Sequence, residues 1–248
     1  MRSRYMKEKV KALCDAWNEA GTAVFLTGAG ASTESGLLDF TGVGSLYGGA
    51  PVTTLLSRDF MLENPALFNE YCRERLYSPY SRPNIFHKSL AMWENTGLVS
   101  SVITQNVDSL HQKAGSQNVL ELHGNMRRVY CDTCNKGAPA SQLYGRKERI
   151  NKCPHCGGTI RPSIILYGEK LNQKVFDSAL HYVDNVPMLI VAGTRLRVTA
   201  PIDIVERFKR HPGFCAYIGL TPPEGSDFDL IIQGKLGDIT KEMSKYMF

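Results

Sequence analysis

Residues 23–36, AVFLTGAGASTESG, constrain what this chain can fold into more than any other stretch. Residues 23–26 are apolar and short, the signature of a buried strand. After Thr27, the run Gly28-Ala29-Gly30 removes side chains where backbone N–H groups would approach a ligand closely. Ser32-Thr33-Glu34-Ser35 follows, with side chains that cap a helix or bond locally. A strand that ends in a glycine turn and opens a helix is an anion site, because free N–H groups and the helix dipole face a phosphate. The dinucleotide fingerprint asks for a third glycine three positions after Gly30, and Thr33 stands there. Alone, a GxG turn is equally an ordinary tight turn. The rest of the chain has to decide.

A buried strand needs neighbours, and 248 residues can supply them as one large α/β domain or a main domain with a small insert. Strand signals recur at 98–104, 119–122, 188–192, 215–218 and 230–232, alternating with helical stretches at 173–183 and 202–209. That alternation predicts βαβ units and a parallel sheet. A first helix is expected over 7–20, where Val10, Leu13, Cys14 and Trp17 share a face and Gly21 stands at the C-cap. Further helices are expected over 65–77, with Pro65 in the first turn, and over 84–95, ending before Gly97. The glycine-dense loop 37–49 is suited to moving over a ligand.

Between 126 and 162 apolar periodicity fades, and cysteines, glycines and basic residues gather. Cys131-x-x-Cys134 and Cys153-x-x-Cys156 have the spacing of a four-thiolate zinc ribbon. Paired cysteines with two residues between them bring both sulfurs to one tetrahedral ion. Disulfides or a redox pair are the alternatives, and zinc is the one the spacing favours. Four cysteines close the shell, so the metal is expected to be structural and His155 only a neighbour. Cys14, Cys72 and Cys215 lie far apart, which points to buried thiols in a reducing, cytoplasmic compartment. The net charge of +5 is mild and scattered, so no direct nucleic-acid partner is expected. No apolar run approaches a bilayer span, and the first residues lack the apolar core of a secretory signal.

Polar groups collect at strand ends. Gln105, Asn106 and Asp108 follow the strand at 98–104, where open α/β sheets bind ligands. Their amides can donate and accept; equally, Asn106 or Asp108 can cap a helix. His123 follows the strand at 119–122 and precedes Gly124. It titrates near neutrality and is a candidate general base. His87, His111, His181 and His211 are expected to be structural. The segment 161–169 reads as extended, with apolar residues to line a channel. Gly193-Thr194 closes the strand at 188–192 and offers another N–H for a phosphate.

In this order, these residues resemble the sirtuin family, the NAD-dependent protein lysine deacylases. The resemblance spans about 23–238. It is carried by Gly28-Ala-Gly-Ala-Ser-Thr-Glu-Ser-Gly36, Asp39-Phe40, Thr104-Gln-Asn-Val-Asp-Ser-Leu-His111, Ala114-Gly115 and Leu122-His-Gly124. Both cysteine pairs, Arg161-Pro162, Tyr167-Gly168-Glu169 and Gly193-Thr194 complete it. It implies a Rossmann-type NAD-binding domain (1–40, 98–125 and 163–248), a loop and helical insert (41–97) and a zinc-ribbon insert (126–162). An acyl-lysine protein or peptide would enter the cleft between them. By analogy, Gly28, Ala29 and Gly30 hold the pyrophosphate, Ser32 belongs to the cofactor set, and Gln105, Asn106 and Asp108 meet the nicotinamide ribose and carboxamide. Asp39, Phe40, Thr41 and Tyr47 belong to the cofactor loop, with Phe40 guarding the nicotinamide pocket. Gly193, Thr194, Arg195, Gly219 and Leu236 complete the cofactor set. His123 is the base, assisted by Asn106 and Asp108, and Ile165, Tyr167, Gly168 and Glu169 pair with the substrate backbone. The implied chemistry has the acyl oxygen attack C1′ of the nicotinamide ribose as nicotinamide leaves. His123 then takes a proton from a ribose hydroxyl, and the products are free lysine and an acyl-ADP-ribose.

The chain departs from the family pattern at the cofactor. Thr41 stands where the family has arginine, and threonine replaces neither its reach nor its charge. Leu37-Leu38 replaces Ile-Pro and loses stiffness. Arg195 replaces a serine, and Gly219 replaces an asparagine at the adenine ribose. Cys72 and Arg75 occupy the Tyr-x-x-Arg positions of members that take acidic acyl groups, so Arg75 is either a carboxylate partner or a solvated helix arginine. Two other functions remain open: an NAD-dependent mono-ADP-ribosyltransferase or NAD hydrolase, and a catalytically weak NAD- or ADP-ribose-binding module.

Overall fold

Strand β1 (Ala23–Thr27) is buried at every position, because helices cover both faces of its sheet and its side chains alternate between two cores. Ala23 and Phe25 enter one core, and Val24 and Leu26 the other. The computed structural model describes residues 2–37, 46–47, 49–144, 152–225 and 227–247. Asp39, Phe40 and Thr41 lie outside the described residues, as does much of the loop 37–49. β1 pairs in parallel with β4 (Val99–Thr104) on one side and β9 (Met188–Ala192) on the other. With β5 (Val119–Glu121), β10 (Phe214–Gly219) and β11 (Leu230–Gln233) the order is β11-β10-β9-β1-β4-β5, parallel throughout. The chain moves outward from β1 through β4 and β5, then returns to the other side of β1. The strand order therefore reverses between β1 and β9, the place where such sheets open a ligand crevice.

Helices α1 (Arg2–Ala20), α5 (Ile85–Asn95) and α10 (Leu236–Met243) cover one face, and α8 (Gln173–Asp184) and α9 (Thr199–Phe208) cover the other. Trp17 stands 5.2 Å from Phe25 and 5.1 Å from Trp93, centroid to centroid. Each such pair adds about 1 kcal/mol beyond its burial. Gly21 caps α1, its N–H donating to Trp17 O at 2.9 Å.

The second lobe has a small antiparallel sheet, β7-β6-β8, made of β6 (Gly124–Cys131), β7 (Gly137–Ala138) and β8 (Ile160–Ile164), with α7 (Ala140–Tyr144) against it. Its own core is thin: Val129, Leu143 and Ile160 gather round Cys131 and Cys153. The hairpin β2 (Leu46–Tyr47) and β3 (Ala50–Pro51) and the short helices α2 (Val52–Leu55), α3 (Arg58–Glu63) and α4 (Pro65–Tyr71) pack beside it. Leu55, Met61, Phe68 and Tyr71 join Met126, Ile164 and Leu166 in one cluster there. Helix α6 (Leu110–Ala114) follows the polar cluster after β4.

Several expectations shift. Helix α1 begins at Arg2 rather than at 7, its first turns held by Arg4 on Glu8 at 3.1 Å. Helix α9 begins at Thr199, since Pro201 is tolerated in a first turn. The expected helix 65–77 is α4 followed by a π-helical turn, Cys72–Leu76, where the 3.6-residue period no longer holds. After Gly28 no α-helix opens: two 3₁₀ turns, Ala29–Ala31 and Thr33–Ser35, stand there. Helices α2 and α3 went unseen because they are too short to show a period. Among the described residues, no helix is long and apolar enough to cross a membrane.

Candidate active site

The turns after β1 and β9 meet at the reversal point, and glycine is what lets them. A Cβ on Gly30 would lie 2.8 Å from Gly193 Cα, and one on Gly193 would lie 2.8 Å from Ala31 N. The two turns also bond directly: Gly28 N–H donates to Ala192 O at 3.1 Å and Gly30 N–H to Gly193 O at 2.8 Å. The Gly28 and Gly30 amides expected to face an anion are therefore engaged by protein, and so is the N–H expected of Gly193, which donates to Ile218 O at 3.0 Å. The Ala29 N–H has no acceptor among the described residues.

Ser32 is the hub of the cluster. Its Oγ donates to Asp108 Oδ2 at 2.7 Å and accepts from Asn106 Nδ2 at 3.2 Å. Asn106 Nδ2 also donates to Gly28 O at 3.0 Å. A carbonyl only accepts, so this bond fixes the amide and turns Asn106 Oδ1 away from it. Of the two roles expected of Asp108, the structure shows the helix-start one: Oδ1 accepts the Leu110 N–H at the start of α6 at 2.8 Å, while Oδ2 takes Ser32. Burial pushes the Asp108 carboxyl up, against the opposing pull of those two donors. Gln105 Nε2 donates to Thr194 Oγ1 at 2.9 Å, tying the ends of β4 and β9 together.

His87 and His111 back this cluster. His87 Nε2 stands 3.5 Å from Ser32 Oγ, and His111 Nε2 stands 3.0 Å from Thr27 Oγ1. Both rings are buried, which lowers the His87 pKa to about 4 and that of His111 well below its ordinary value.

His123 lies in the turn between β5 and β6. Its Nδ1 is 3.1 Å from Gln105 O. That oxygen can only accept, so Nδ1 carries the hydrogen and Nε2 keeps its lone pair. Burial lowers the His123 pKa, partly opposed by this bond, so the ring is neutral at pH 7. The His123 carbonyl accepts from Ile165 N–H at 2.9 Å, joining the histidine to the segment 165–169.

These residues line one cavity of about 580 Å³ between the sheet and the second lobe, within the range of small-molecule sites. Ala29, Ser32, Gln105, Asn106, Asp108 and His123 contribute from the strand ends. Gly193, Thr194 and Arg195 close that end, and Ile165, Tyr167, Gly168 and Glu169 form the facing wall with Arg75. Apolar residues that the sequence did not single out, Leu56, Leu76, Val107 and Val198, complete it. Their only signal is burial across two lobes.

Besides Gly28 and Gly30, the expected cofactor residues Leu236, Tyr47 and Gly219 do not line this cavity. Leu236 starts α10 and is buried in the sheet's core. The Tyr47 hydroxyl donates to Glu70 at 3.1 Å and Glu74 at 2.8 Å, with Arg75 over its ring at 5.6 Å. At Gly219 a Cβ would stand 2.5 Å from the Tyr217 hydroxyl, so the family's asparagine has no room here. The hydroxyl itself is held on Thr221 O at 2.6 Å.

Cys131, Cys134, Cys153 and Cys156 stand with every sulfur within 4.8 Å of the others. Cys131 and Cys156 are 3.5 Å apart, and Cys134 and Cys153 are 3.7 Å apart. A tetrahedral ion with Zn–S bonds of about 2.3 Å spaces its sulfurs by about 3.8 Å, whereas a disulfide needs about 2.05 Å. The donors and their spacing fit zinc. Backbone N–H groups of Cys134 and Thr133 turn toward Cys131 and hold its thiol low.

The pattern for the Sir2 family matches residues 28–200. An NAD-dependent protein deacetylase of Clostridium tetani is 39% identical over 191 residues, covering 75% of this chain and 77% of that protein. One of Staphylococcus aureus (strain Mu50) is 36% identical over 241 residues, covering 95% and 97%. A solved Sir2 structure bound to a propionylated peptide superposes with a TM-score of 0.85 at 31% identity, covering 96% of this chain and 98% of that one. A Sir2 complex with a deacetylated p53 peptide and 3′-O-acetyl ADP ribose reaches 0.88 at 31%, with the same coverage. The reversal-point cavity, the four-thiolate knuckle and these similarities together make this chain a member of the Sir2 family.

Proposed function

We propose that this chain is an NAD-dependent protein lysine deacylase of the deacetylase type, releasing nicotinamide and an O-acyl-ADP-ribose. The observation that carries the reading is His123: a neutral ring, its hydrogen pinned on Gln105 O, bonded through its own carbonyl to the wall at 165–169. NAD, when bound, supplies the ribose carbon that takes the acyl oxygen and the nicotinamide that leaves. The residues present fit it. Ala29 N–H, Asn106 Oδ1 and the Thr194 main chain are assigned to its phosphates and riboses, and Ser32, Gln105 and Asp108 orient the nicotinamide end. His123 Nε2, unprotonated because burial lowers the ring's pKa, takes the proton from a ribose hydroxyl. Of the wall, Gly168 and the Ile165 carbonyl receive the peptide backbone, since the Ile165 N–H, both main-chain groups of Tyr167 and the Glu169 N–H are already taken within the protein. Val107, Leu76 and Val198 exclude water from the acyl-lysine stem.

Zinc in the four-thiolate knuckle is structural, since four sulfurs leave no open position. The division into 1–40 with 98–125 and 163–248, 41–97 and 126–162 is part of this reading, with strands β6 and β8 starting and ending two residues outside the last insert. A cytoplasmic setting is the one in which these thiols stay reduced.

The test is incubation with NAD and acetylated or succinylated peptides, read by mass spectrometry. Peptide that loses its acyl group in step with nicotinamide release is the expected result. ADP-ribose added to protein, or nicotinamide released without peptide, would instead favour a transferase or hydrolase. Silence despite measurable NAD binding would leave a binding module. A succinyl preference that disappears in Arg75→Met would assign that guanidinium to an acyl carboxylate.

A further inference from the structure

Four charged side chains connect the metal knuckle to the peptide wall. Arg161, on β8, has no exposed surface, a place where a guanidinium survives only when paired. Its Nη1 donates to Glu169 Oε1 and, at 3.3 Å, to Asp132 Oδ1. Its Nη2 donates to Glu169 Oε2 at 2.9 Å and to Ile164 O at 2.8 Å. Arg58, which opens α3, bridges the same two carboxylates: Glu169 at 2.9 Å and Asp132 at 3.1 Å through both nitrogens. Asp132 lies inside the Cys131–Cys134 knuckle. Glu169 lies at the end of the peptide wall and folds back to accept the Leu166 N–H at 2.9 Å. Burial alone would raise its pKa, but Arg161, that N–H and Arg58 hold it below its ordinary range. The main chain repeats the link, since Arg58 N–H donates to Tyr167 O and Tyr167 N–H to Leu56 O, both at 2.9 Å.

We propose that Arg161 and Arg58 are positioning residues for the acyl-lysine peptide: by sharing Glu169 with Asp132 they lock the wall at 165–169 to the metal knuckle, so that the metal sets the shape of the peptide cleft. The lock has a physical reason. Removing one member of a buried ion network leaves its partner charged and unpaired, so the remaining groups move to find other donors. The wall moves with Glu169, and displacement of about 1 Å near reacting groups costs rate out of proportion to its size. The peptide side of this inference rests on the deacylase reading, while the lock itself does not.

Two measurements separate them. In steady-state kinetics, Arg161→Lys keeps one charge but loses the fork. It should raise KM for the acyl-peptide about tenfold while KM for NAD and zinc content stay at the wild-type values. Arg58→Met, at a half-exposed position, should shift the same constant in the same direction and keeps the test alive if the buried variant fails to fold. A parallel rise in both KM values, or an unchanged peptide KM in a folded variant, would overturn the proposal. In the second measurement, hydrogen exchange of the wild-type chain is followed as a chelator removes zinc. The Leu166 and Tyr167 amides should lose protection while those of β1 and β9 keep theirs. Protection at 165–169 that is indifferent to the metal would refute the lock whatever the enzyme turns over.

Discussion

His123 illustrates how a single residue acquires a role from its surroundings. The chain carries other histidines, and two of them, His87 and His111, are buried against Ser32 and Thr27. What distinguishes His123 is the carbonyl of Gln105, which fixes the tautomer with the lone pair on Nε2 of a residue that lines the cavity. His123→Ala should therefore cut deacylation by roughly 10²–10⁴-fold, while the NAD affinity, measured by calorimetry, stays close to that of the parent. Equal loss of both would make the ring structural. Its pKa is lowered by burial, so the neutral, active form persists below the ordinary value of 6.5 and is lost only as pH falls further. The acid limb of kcat/KM against pH should accordingly lie below 6.5. A limb above that value would contradict the burial seen around the ring. At the same scale, Gly219 shows that a departure from the family can be enforced locally. The Tyr217 hydroxyl fills the space, so restoring asparagine alone would clash rather than add a ribose contact.

At the scale of elements, the small sheet depends on its knuckle. Around the knuckle, the described residues of the small sheet and α7 bury Val129, Leu143 and Ile160 with two of the cysteines as a core, a small apolar surface against the ordering of the segment. Binding of zinc to four thiolates makes up the difference, because that binding energy is folding energy. Chelation or Cys131→Ser should lower the melting temperature by more than about 10 °C and release the β6–β8 pairing. Scanning calorimetry with metal analysis checks this, and a Tm and activity that survive complete metal removal would exclude the ribbon. The π-helical turn at Cys72–Leu76 matters here as well. It ends α4 off the regular period and brings Arg75 and Leu76 to the cavity wall, which no 3.6-residue reading of 65–77 anticipates.

Across the whole molecule, two lobes of different construction share one cavity, and the groups buried beneath it respond to pH. His87 is held down to about 4 and His111 well below its ordinary value, both chiefly by burial. A lowered histidine pKa means that the unfolded chain binds the proton first. The stability is complete above about 6.5 and falls as pH drops from there toward 4, by roughly 3 kcal/mol for His87 alone. The raised Asp108 works in the opposite direction and offsets part of the loss. Urea titrations at pH 7 and pH 5 should show the lower midpoint at pH 5, and equal midpoints would mean that these rings are not buried in solution. The sheet, the helices at 173–183 and 84–95 and the zinc spacing were legible in the sequence, because each rests on local periodicity or on residues near one another in the chain. So was the cluster Gln105, Asn106, Asp108 and His123, because chemistry at strand ends follows from where parallel strands stop. Other features depended on contacts between segments far apart in sequence: the engagement of Gly28 and Gly30 with the β9 turn, the burial of Leu236, and the attachment of Tyr47 to Glu70 and Glu74. The bridge of Arg58 and Arg161 between Asp132 and Glu169 belongs with them. The chain by itself determined the parallel sheet, its longer helices and the four-thiolate metal site, because those rest on local periodicity and spacing. Only the packed structure decided which amides, rings and charges remain available to a ligand, because that depends on what the neighbouring segments have already taken.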